Sequence, residues 1–354
     1  MNRIFTALAA AVLVTGAAQT GRAQDIHFSQ FYENASLRNP ALTGIFSGDY
    51  KAGVNYRTQW GSISVPFQTV LASAETRVSV SSETDDYLSF GLTTTYDKAG
   101  SISFNSFSVM PAINYNKNLE DEHGSYLSMG FAAAYVQRSV DPSKMTFDNQ
   151  YGAGGFDPAN PTGENITVTS MQHFDLSAGL SFNSSFGEEG NVNYYVGGAA
   201  YHLTKPQESF DQSQSFIRLT TKYTGQAGIN WTINPNMSFT AHLNYLNQKP
   251  YQEWIGGGLL GWRHSDASDP RKSFTLYGGL FYRLGDAVIP TFKVDYNSYS
   301  VTMSYDLNNS GLRHSSGGMG GYEVSLYVRG KLRRSNPKDY LKCPRFEMRM
   351  PNFE

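Results

Sequence analysis

The residue types that usually carry chemistry do not form a recognisable active site in this sequence. Two glycine-rich stretches, 152–155 and 317–321, resemble nucleotide-binding loops only in composition, because neither follows a buried strand and opens a helix. The seven histidines show no metal-ligand spacing, and the acidic run 120–123 is interpreted as a solvated turn rather than a cation site. No nucleophile, base and orienting acid can be assembled from spacing. We therefore expect no enzyme activity, no cofactor and no bound metal.

The amino-acid composition excludes several classes of protein. Of the 354 residues, 16% are charged and 14% are aromatic, whereas an ordinary soluble domain carries about 25% charged residues. The formal net charge of −2 argues against a nucleic-acid partner, since such binders carry a basic excess. Cys343 is the single cysteine of the sequence. It excludes a disulfide within the chain and leaves open a free thiol or a bond to another chain.

The first 23 residues have the pattern of a secretory signal peptide. Arg3 precedes the apolar run 4–14, and small residues occupy the end of the stretch, Gly21-Arg22-Ala23. We predict a signal peptide over 1–23 and a mature chain that starts at Gln24. From residue 24 onward, no stretch of the sequence approaches 18 consecutive apolar residues, so no transmembrane helix is predicted.

The elements of the mature chain are predicted from hydrophobic alternation with period 2, which is typical of strands. On the first strand, one face carries Tyr50, Ala52, Val54, Tyr56 and Trp60, and the other carries Lys51, Gly53, Asn55, Arg57 and Gln59. Similar runs follow at 67–80, 86–97, 104–116, 125–138, 172–183, 192–203, 216–231, 236–246, 252–263, 273–284, 288–296, 298–307 and 321–333. The chain is therefore predicted to be all-β with about 14 strands.

Strand length and aromatic placement favour a transmembrane antiparallel β-barrel over residues 49–334. Many of the predicted strands have ten or more residues, which suits the roughly 9–11 residues a tilted strand needs to cross a bilayer. Tyrosine and tryptophan recur near the strand ends, as in the aromatic girdles at membrane interfaces. A soluble all-β fold is the alternative, because aromatic residues also favour strands in general.

Residues 24–48 precede the barrel and show no alternation. Their apolar anchors include Phe28, Phe31 and Tyr32, and we predict a plug-like segment in the lumen or its periplasmic mouth. The inward faces of the strands should carry interleaved charges that favour a blocked lumen. These charges are Lys51, Arg57, Glu75, Arg77, Asp175, Arg218, Lys222, Arg283, Lys293, Asp295, Asp306, Glu323 and Arg329.

Two regions outside the barrel are candidates for binding other proteins. The longest connection, 139–171, falls on the external side and carries Phe147, Tyr151 and Phe156. The periplasmic C-terminal tail, 335–354, combines basic with apolar residues, and its leading candidates are Tyr340, Arg345 and Phe346. We predict that the loop contacts a cargo protein and that the tail contacts a periplasmic partner.

Two blocks near the mature N-terminus and a motif on the first strand carry a family resemblance. They read Asp25-Ile26-His27-Phe28-Ser29-Gln30-Phe31-Tyr32, Asn39-Pro40-Ala41-Leu42-Thr43-Gly44 and Tyr56-Arg57-Thr58-Gln59-Trp60. The C-terminal part agrees through residues 278–283, 294–296, 305–306, 320–323 and 343–346. On these residues the sequence resembles the PorP/SprF family of type IX secretion system membrane proteins.

The resemblance implies an outer-membrane barrel of a Gram-negative cell that serves type IX secretion or gliding motility. It would help export or anchor cell-surface adhesins that have a type B C-terminal domain. The implied partners are outer-membrane lipid, such an adhesin, and components of the periplasmic secretion or gliding machinery. A second hypothesis remains open, in which the barrel is a channel for small or hydrophobic solutes, similar to fatty-acid porins.

Overall fold

The computed structural model describes residues 25–61, 65–80, 84–152, 154–163, 168–210, 217–265, 273–310 and 316–332. The predicted signal peptide, 1–23, and the predicted tail, 335–354, lie outside the described residues. None of the helices in the described ranges has the length and apolar character needed to cross a membrane.

Within the described ranges, fourteen antiparallel strands form a single closed barrel, which confirms the predicted architecture. Each strand pairs with its neighbours in the chain, and the first strand pairs with the last to close the barrel. In chain order the barrel strands are β1 (Tyr50–Gln59), β2 (Phe67–Ser79), β3 (Tyr87–Ala99), β4 (Phe104–Asn118), β5 (Tyr126–Ser139), β6 (Ser170–Phe186), β7 (Val192–Tyr201), β8 (Lys222–Asn234), β9 (Met237–Gln248), β10 (Tyr251–His264), β11 (Phe274–Arg283), β12 (Ala287–Tyr296), β13 (Tyr299–Asn308) and β14 (Met319–Gly330).

The barrel buries polar residues and exposes apolar ones, the reverse of a soluble fold. On β1, Asn55 and Arg57 are buried, whereas Val54, which directly precedes Asn55, is 50% exposed. The same inversion recurs on β5, where Ser128 is buried and the neighbouring Met129 is exposed. This arrangement is stable only when the outer face meets lipid and the inner face forms polar contacts. It excludes the soluble all-β alternative.

The two ends of the barrel differ in the length of their connections. The end at which β1 begins and β14 finishes has mostly short turns, such as 235–236 and 297–298, and is called the turn end. The opposite end, called the loop end, carries the long connections 140–169 and 202–221. In outer-membrane barrels the short turns are periplasmic and the long loops are external. The loop end therefore faces outward.

One residue predicted to face the lumen lies elsewhere. Arg218 is exposed and belongs to the loop between β7 and β8, where it forms an isolated bridge with Gln207. The prediction was wrong because the alternating pattern continues upstream of the true start of β8 at Lys222. Alternation alone does not distinguish a strand from an extended loop that leads into it.

Residues 25–48, called the lumen segment, lie inside the ring of strands. The segment contains a short helix α1 (Ala35–Arg38) and a 3-10 turn (Pro40–Leu42). The Asn39 side chain caps this turn by accepting a hydrogen bond from the Ala41 backbone N–H at 2.8 Å. Pro40 suits the first position of the turn because its missing N–H is not needed there.

The lumen segment runs from the loop end to the turn end. Asp25, at its start, contacts Lys222, the first residue of β8. At its other end, the Asp49 backbone N–H donates to the Gly330 carbonyl oxygen, where β14 finishes. The chain therefore passes through the length of the barrel before β1 begins.

Candidate functional site

A buried charge cluster lies in the half of the lumen nearer the loop end. Arg57 and Glu323 face each other in the register of β1 and β14, and their Nη1 and Oε2 atoms lie 3.0 Å apart. Arg57 Nη2 is 2.8 Å from Asp306 Oδ2, and Arg283 Nη1 is 3.2 Å from the same oxygen. The structure thus brings together Arg57, Arg283 and Glu323, three of the residues selected from the sequence.

The lumen segment completes this cluster with backbone and hydroxyl groups. The backbone N–H groups of Ser29 and Gln30 donate to the two carboxylate oxygens of Glu323, at 2.7 and 3.1 Å. The Ser29 hydroxyl donates to Asp306 Oδ1 at 2.6 Å and accepts from Arg57. Buried charges require such partners, because desolvation penalises an unpaired charge. Sequence reasoning missed Ser29 and Gln30.

Two of the three aromatic anchors of the lumen segment, Phe31 and Tyr32, pack in an apolar patch of the wall formed by β10, β11 and β12. Phe28 and Phe31 are each 5% exposed. Phe31 packs with Ile255 and Phe281 in a buried cluster. The Tyr32 ring stacks between His242 and Phe281, with ring centroids 5.1 and 5.0 Å away. Aromatic stacking of this kind fixes ring orientation as well as burying area.

Glu33 connects the segment to two wall lysines. Its Oε1 lies 2.8 Å from Lys293 Nζ, and its Oε2 lies 3.7 Å from Lys51 Nζ. Both carboxylate oxygens of Glu33 therefore form ion pairs with the barrel wall.

A second ionic contact, called the clasp, fastens the start of the segment at the loop end. Asp25 Oδ2 accepts from Lys222 Nζ at 2.5 Å and lies 2.9 Å from His202 Nε2. His202 Nδ1 lies 2.7 Å from Asp175 Oδ2. Burial would lower the pKa of His202, but Asp25 and Asp175 raise it to about 9. His202 is therefore charged at neutral pH.

Residues 39–44, called the amide block, are held differently, by amide side chains and backbone. Asn39 Nδ2 donates to the carbonyl oxygens of Leu180 and Gly198, at 2.9 and 3.2 Å. Asn114 Nδ2 donates to the carbonyl oxygens of Ala41 and Thr43, at 2.9 and 2.8 Å. These contacts join the block to β4, β6 and β7.

Glycines in the wall make room for the amide block. A Cβ at Gly130 would lie 2.3 Å from the Ala41 backbone nitrogen, and one at Gly179 would lie 2.0 Å from Asn39 Oδ1. A Cβ at Gly91 would approach the Thr43 side chain to 2.7 Å. The block therefore fits only against a wall without side chains at these points.

The predicted loop residues form a small aromatic pair on the surface. Two-residue strands Tyr151–Gly152 and Gly155–Phe156 pair with each other. Tyr151 is 58% and Phe156 is 44% exposed, and their ring centroids are 5.4 Å apart. Phe147 is half-buried nearby in sequence. Tyr340, Arg345 and Phe346 lie outside the described residues.

Within the described ranges, no group of three or more His, Cys, Asp or Glu side chains is arranged to hold a metal ion. The ionisable residues of the lumen instead pair with one another and with the lumen segment. The arrangement is suited to holding a peptide segment in place.

Comparisons with known proteins identify a family and several similar solved structures. The family model described as type IX secretion system membrane protein PorP/SprF matches residues 20–327. The toluene transporter TbuX of Ralstonia pickettii superposes with a TM-score of 0.48 at 10% identity, covering 88% of this chain and 96% of that one. A Pseudomonas aeruginosa FadL homologue superposes with a TM-score of 0.46 at 10% identity, covering 83% of this chain and 93% of that one. No curated protein sequence matches.

Proposed function

The chain belongs to the PorP/SprF family of type IX secretion system membrane proteins, and we propose that it helps export or anchor adhesins at the cell surface. In this proposal the outer-membrane barrel is a scaffold rather than a pore. Its external loops hold the type B C-terminal domain of an adhesin, and its periplasmic side couples to the secretion or gliding machinery.

The lumen segment is the observation that carries this proposal. It passes from the clasp at Asp25 to the closing hydrogen bond at Asp49, and it contacts wall strands along the way. Diffusion pores keep a water-filled lumen, whereas this lumen is occupied by chain. A filled barrel conducts solutes poorly but presents its loops on a rigid frame.

A conductance measurement distinguishes the scaffold hypothesis from the solute-channel hypothesis. We expect the purified wild-type barrel to show little single-channel conductance in planar bilayers. Deletion of residues 25–40 should raise that conductance if the lumen segment blocks the pore. Porin-like conductance of the wild-type protein would favour the channel, and unchanged conductance of a correctly folded deletion variant would remove the plug hypothesis.

The aromatic pair on the external loop supports the adhesin-binding part of the proposal. Exposed aromatic rings on long loops are common in binding surfaces. We expect the triple substitution Phe147→Ser, Tyr151→Ser and Phe156→Ser to release a fluorescent reporter fused to a type B C-terminal domain into the medium. The barrel itself should remain in the membrane, because these rings contribute nothing to the wall.

Tyr299→Ser is the matched control for the loop substitutions. Tyr299 is 57% exposed but lies at the turn end, so its loss should leave the reporter on the cells. Retention of the reporter by the triple variant would show that the adhesin binds elsewhere on the barrel.

The basic tail supports coupling to the periplasmic machinery. Residues 335–354 combine Lys338, Lys342, Arg345 and Arg349 with Tyr340 and Phe346, a mixture that suits docking into a groove with a charged rim. Truncation after Ser335 should leave a heat-modifiable barrel in the outer membrane but abolish co-purification of periplasmic machinery proteins. Normal co-purification would place the docking site in the periplasmic turns.

A further inference from the structure

A small cavity lies between the lumen segment and the wall, away from the charge cluster of Arg57. Its volume is about 70 Å³, and its lining includes Tyr32, Glu33 and Arg38 of the segment. The wall contributes Lys51 and Lys293. The cavity therefore lies at a junction between the plug-like segment and the barrel.

Arg38 is the unusual member of this lining. It is 7% exposed, yet its guanidinium has no carboxylate within ion-pair distance in the described part of the chain. Its Nη1 donates to the Tyr195 hydroxyl at 2.9 Å, and its Nη2 donates to the Tyr32 carbonyl oxygen at 3.5 Å. Its Nε has no hydrogen-bond partner among the residues that the structure describes. Rings of Phe31 and Tyr195 lie beside it, at 5.4 and 5.9 Å.

The neighbouring acids are already engaged by other bases. Glu33 is shared by Lys293 and Lys51, at 2.8 and 3.7 Å. Asp295 is shared by Arg329 and Lys293, at 3.4 and 3.9 Å. The charged residues that line the cavity are three basic and two acidic, besides His242. The described residues that line the cavity therefore carry one more positive than negative charge.

We infer that the cavity binds a small inorganic anion, held chiefly by Arg38. A buried guanidinium is costly unless an anion compensates its charge, and aromatic rings offset that cost only in part. Guanidinium is also the side chain best suited to halides and oxyanions in a confined site, since it offers several fixed donors. Tyr32 also lines the cavity, and its hydroxyl can supply a further donor.

The bound anion would bridge the lumen segment to the barrel wall. Arg38 and Tyr32 belong to the segment, and Lys51 and Lys293 belong to β1 and β12. Water in the cavity would satisfy hydrogen bonds but would not neutralise the charge. The anion therefore stabilises the seated position of the segment, independently of any adhesin.

The experiment measures thermal unfolding of the detergent-solubilised full protein while the anion is exchanged at constant ionic strength. Sodium gluconate, too large for the cavity, is the reference, and chloride, sulfate or inorganic phosphate replaces it up to about 100 mM. We expect at least one small anion to raise the Tm of the wild type by about 3–5 °C, the usual effect of ligand linkage on a chain of this size. Arg38→Gln should abolish that rise.

Arg138→Gln is the matched control, because Arg138 is a largely buried arginine that pairs with Glu208 at the loop end. It should keep the anion-dependent rise. A rise of equal size in Arg38→Gln, or no rise in the wild type, would overturn the inference.

A second measurement does not depend on any variant folding. Wild-type crystals soaked in bromide or in selenate should show an anomalous peak beside Arg38, and the soak that gives it separates a halide site from an oxyanion site. Absence of a peak in both soaks would show that rings and water alone satisfy Arg38.

Discussion

The two parts of the lumen segment are held in the barrel by different physics. Residues 25–33, called the charged half, are fastened by Asp25 to the clasp and by Glu33 to two lysines. The amide block, residues 39–44, is fastened by Asn39, Asn114 and a wall without side chains. The charged half combines ion pairs with the ring packing of Phe31 and Tyr32, whereas the amide block depends mainly on amide hydrogen bonds and close packing.

The contacts of each part determine whether it can respond to its surroundings. Ion pairs and histidine contacts change with pH and salt, because both alter the charges or screen them. Amide-to-carbonyl hydrogen bonds and close backbone packing do not change over the same range. We therefore expect the charged half, which begins at the external mouth, to be the part whose stability can be tuned, and the amide block to be the fixed anchor.

Substitution of Arg57 should have the largest effect on the free energy of unfolding, because Arg57 contacts both Asp306 and Glu323 in the buried charge cluster. Arg57→Met leaves Glu323 buried without its cationic partner, and breaking a buried ion pair in this way costs about 3–5 kcal/mol. We expect a corresponding fall in the free energy of unfolding, measured by urea denaturation of the folded barrel in detergent.

A double-mutant cycle sharpens this test. Arg57→Met combined with Glu323→Gln should cost less than the sum of the two single changes, because the uncompensated charge is removed with its partner. Lys117→Met is the control, since Lys117 is 43% exposed in its pair with Asp86, and such exposed pairs contribute about 1 kcal/mol or less. Additive effects in the cycle would show that Arg57 and Glu323 do not stabilise each other.

A side chain at Gly130 tests the amide block with the smallest possible probe. The Cβ of Gly130→Ala would lie 2.3 Å from the backbone of Pro40 and Ala41, and backbone does not rotate out of the way. Overpacking of this kind costs about 1–3 kcal/mol. We expect lower stability by urea denaturation with no dependence on pH between 6 and 10.

Gly225→Ala is the control for the wall glycine, because a Cβ at Gly225 has no atom of the described residues within 4 Å. It should leave stability unchanged. Equal stability of the two alanine variants would show that the amide block is not seated against Gly130.

The barrel could be predicted from the sequence, whereas the contacts of its lumen segment could not. The membrane imposes alternation on every strand, so all fourteen strands follow from local pattern. Arg218 was misplaced because alternation extends beyond the strand end. Ser29 meets Glu323 across a separation of 294 residues, and no local pattern encodes such a contact. The sequence pattern also does not reveal the space that Gly130 leaves for the amide block, because glycine has no side chain that could be classed as apolar or polar.

At His202 the expected effect vanishes at high pH, and this pH dependence distinguishes the charged half from the amide block. The folded protein raises the pKa of His202 from 6.5 to about 9, so the folded state binds the proton more tightly than the unfolded state. This contribution is fully present below pH 6.5, falls between pH 6.5 and 9, and is lost above about pH 9. His202→Gln should therefore lower the free energy of unfolding by about 1–3 kcal/mol at pH 6 and by much less at pH 10. Urea denaturation of both proteins at the two pH values measures the difference, and His123→Gln, at an exposed turn, should show none. A loss of stability that is the same at both pH values would mean that His202 acts by packing rather than by its charge.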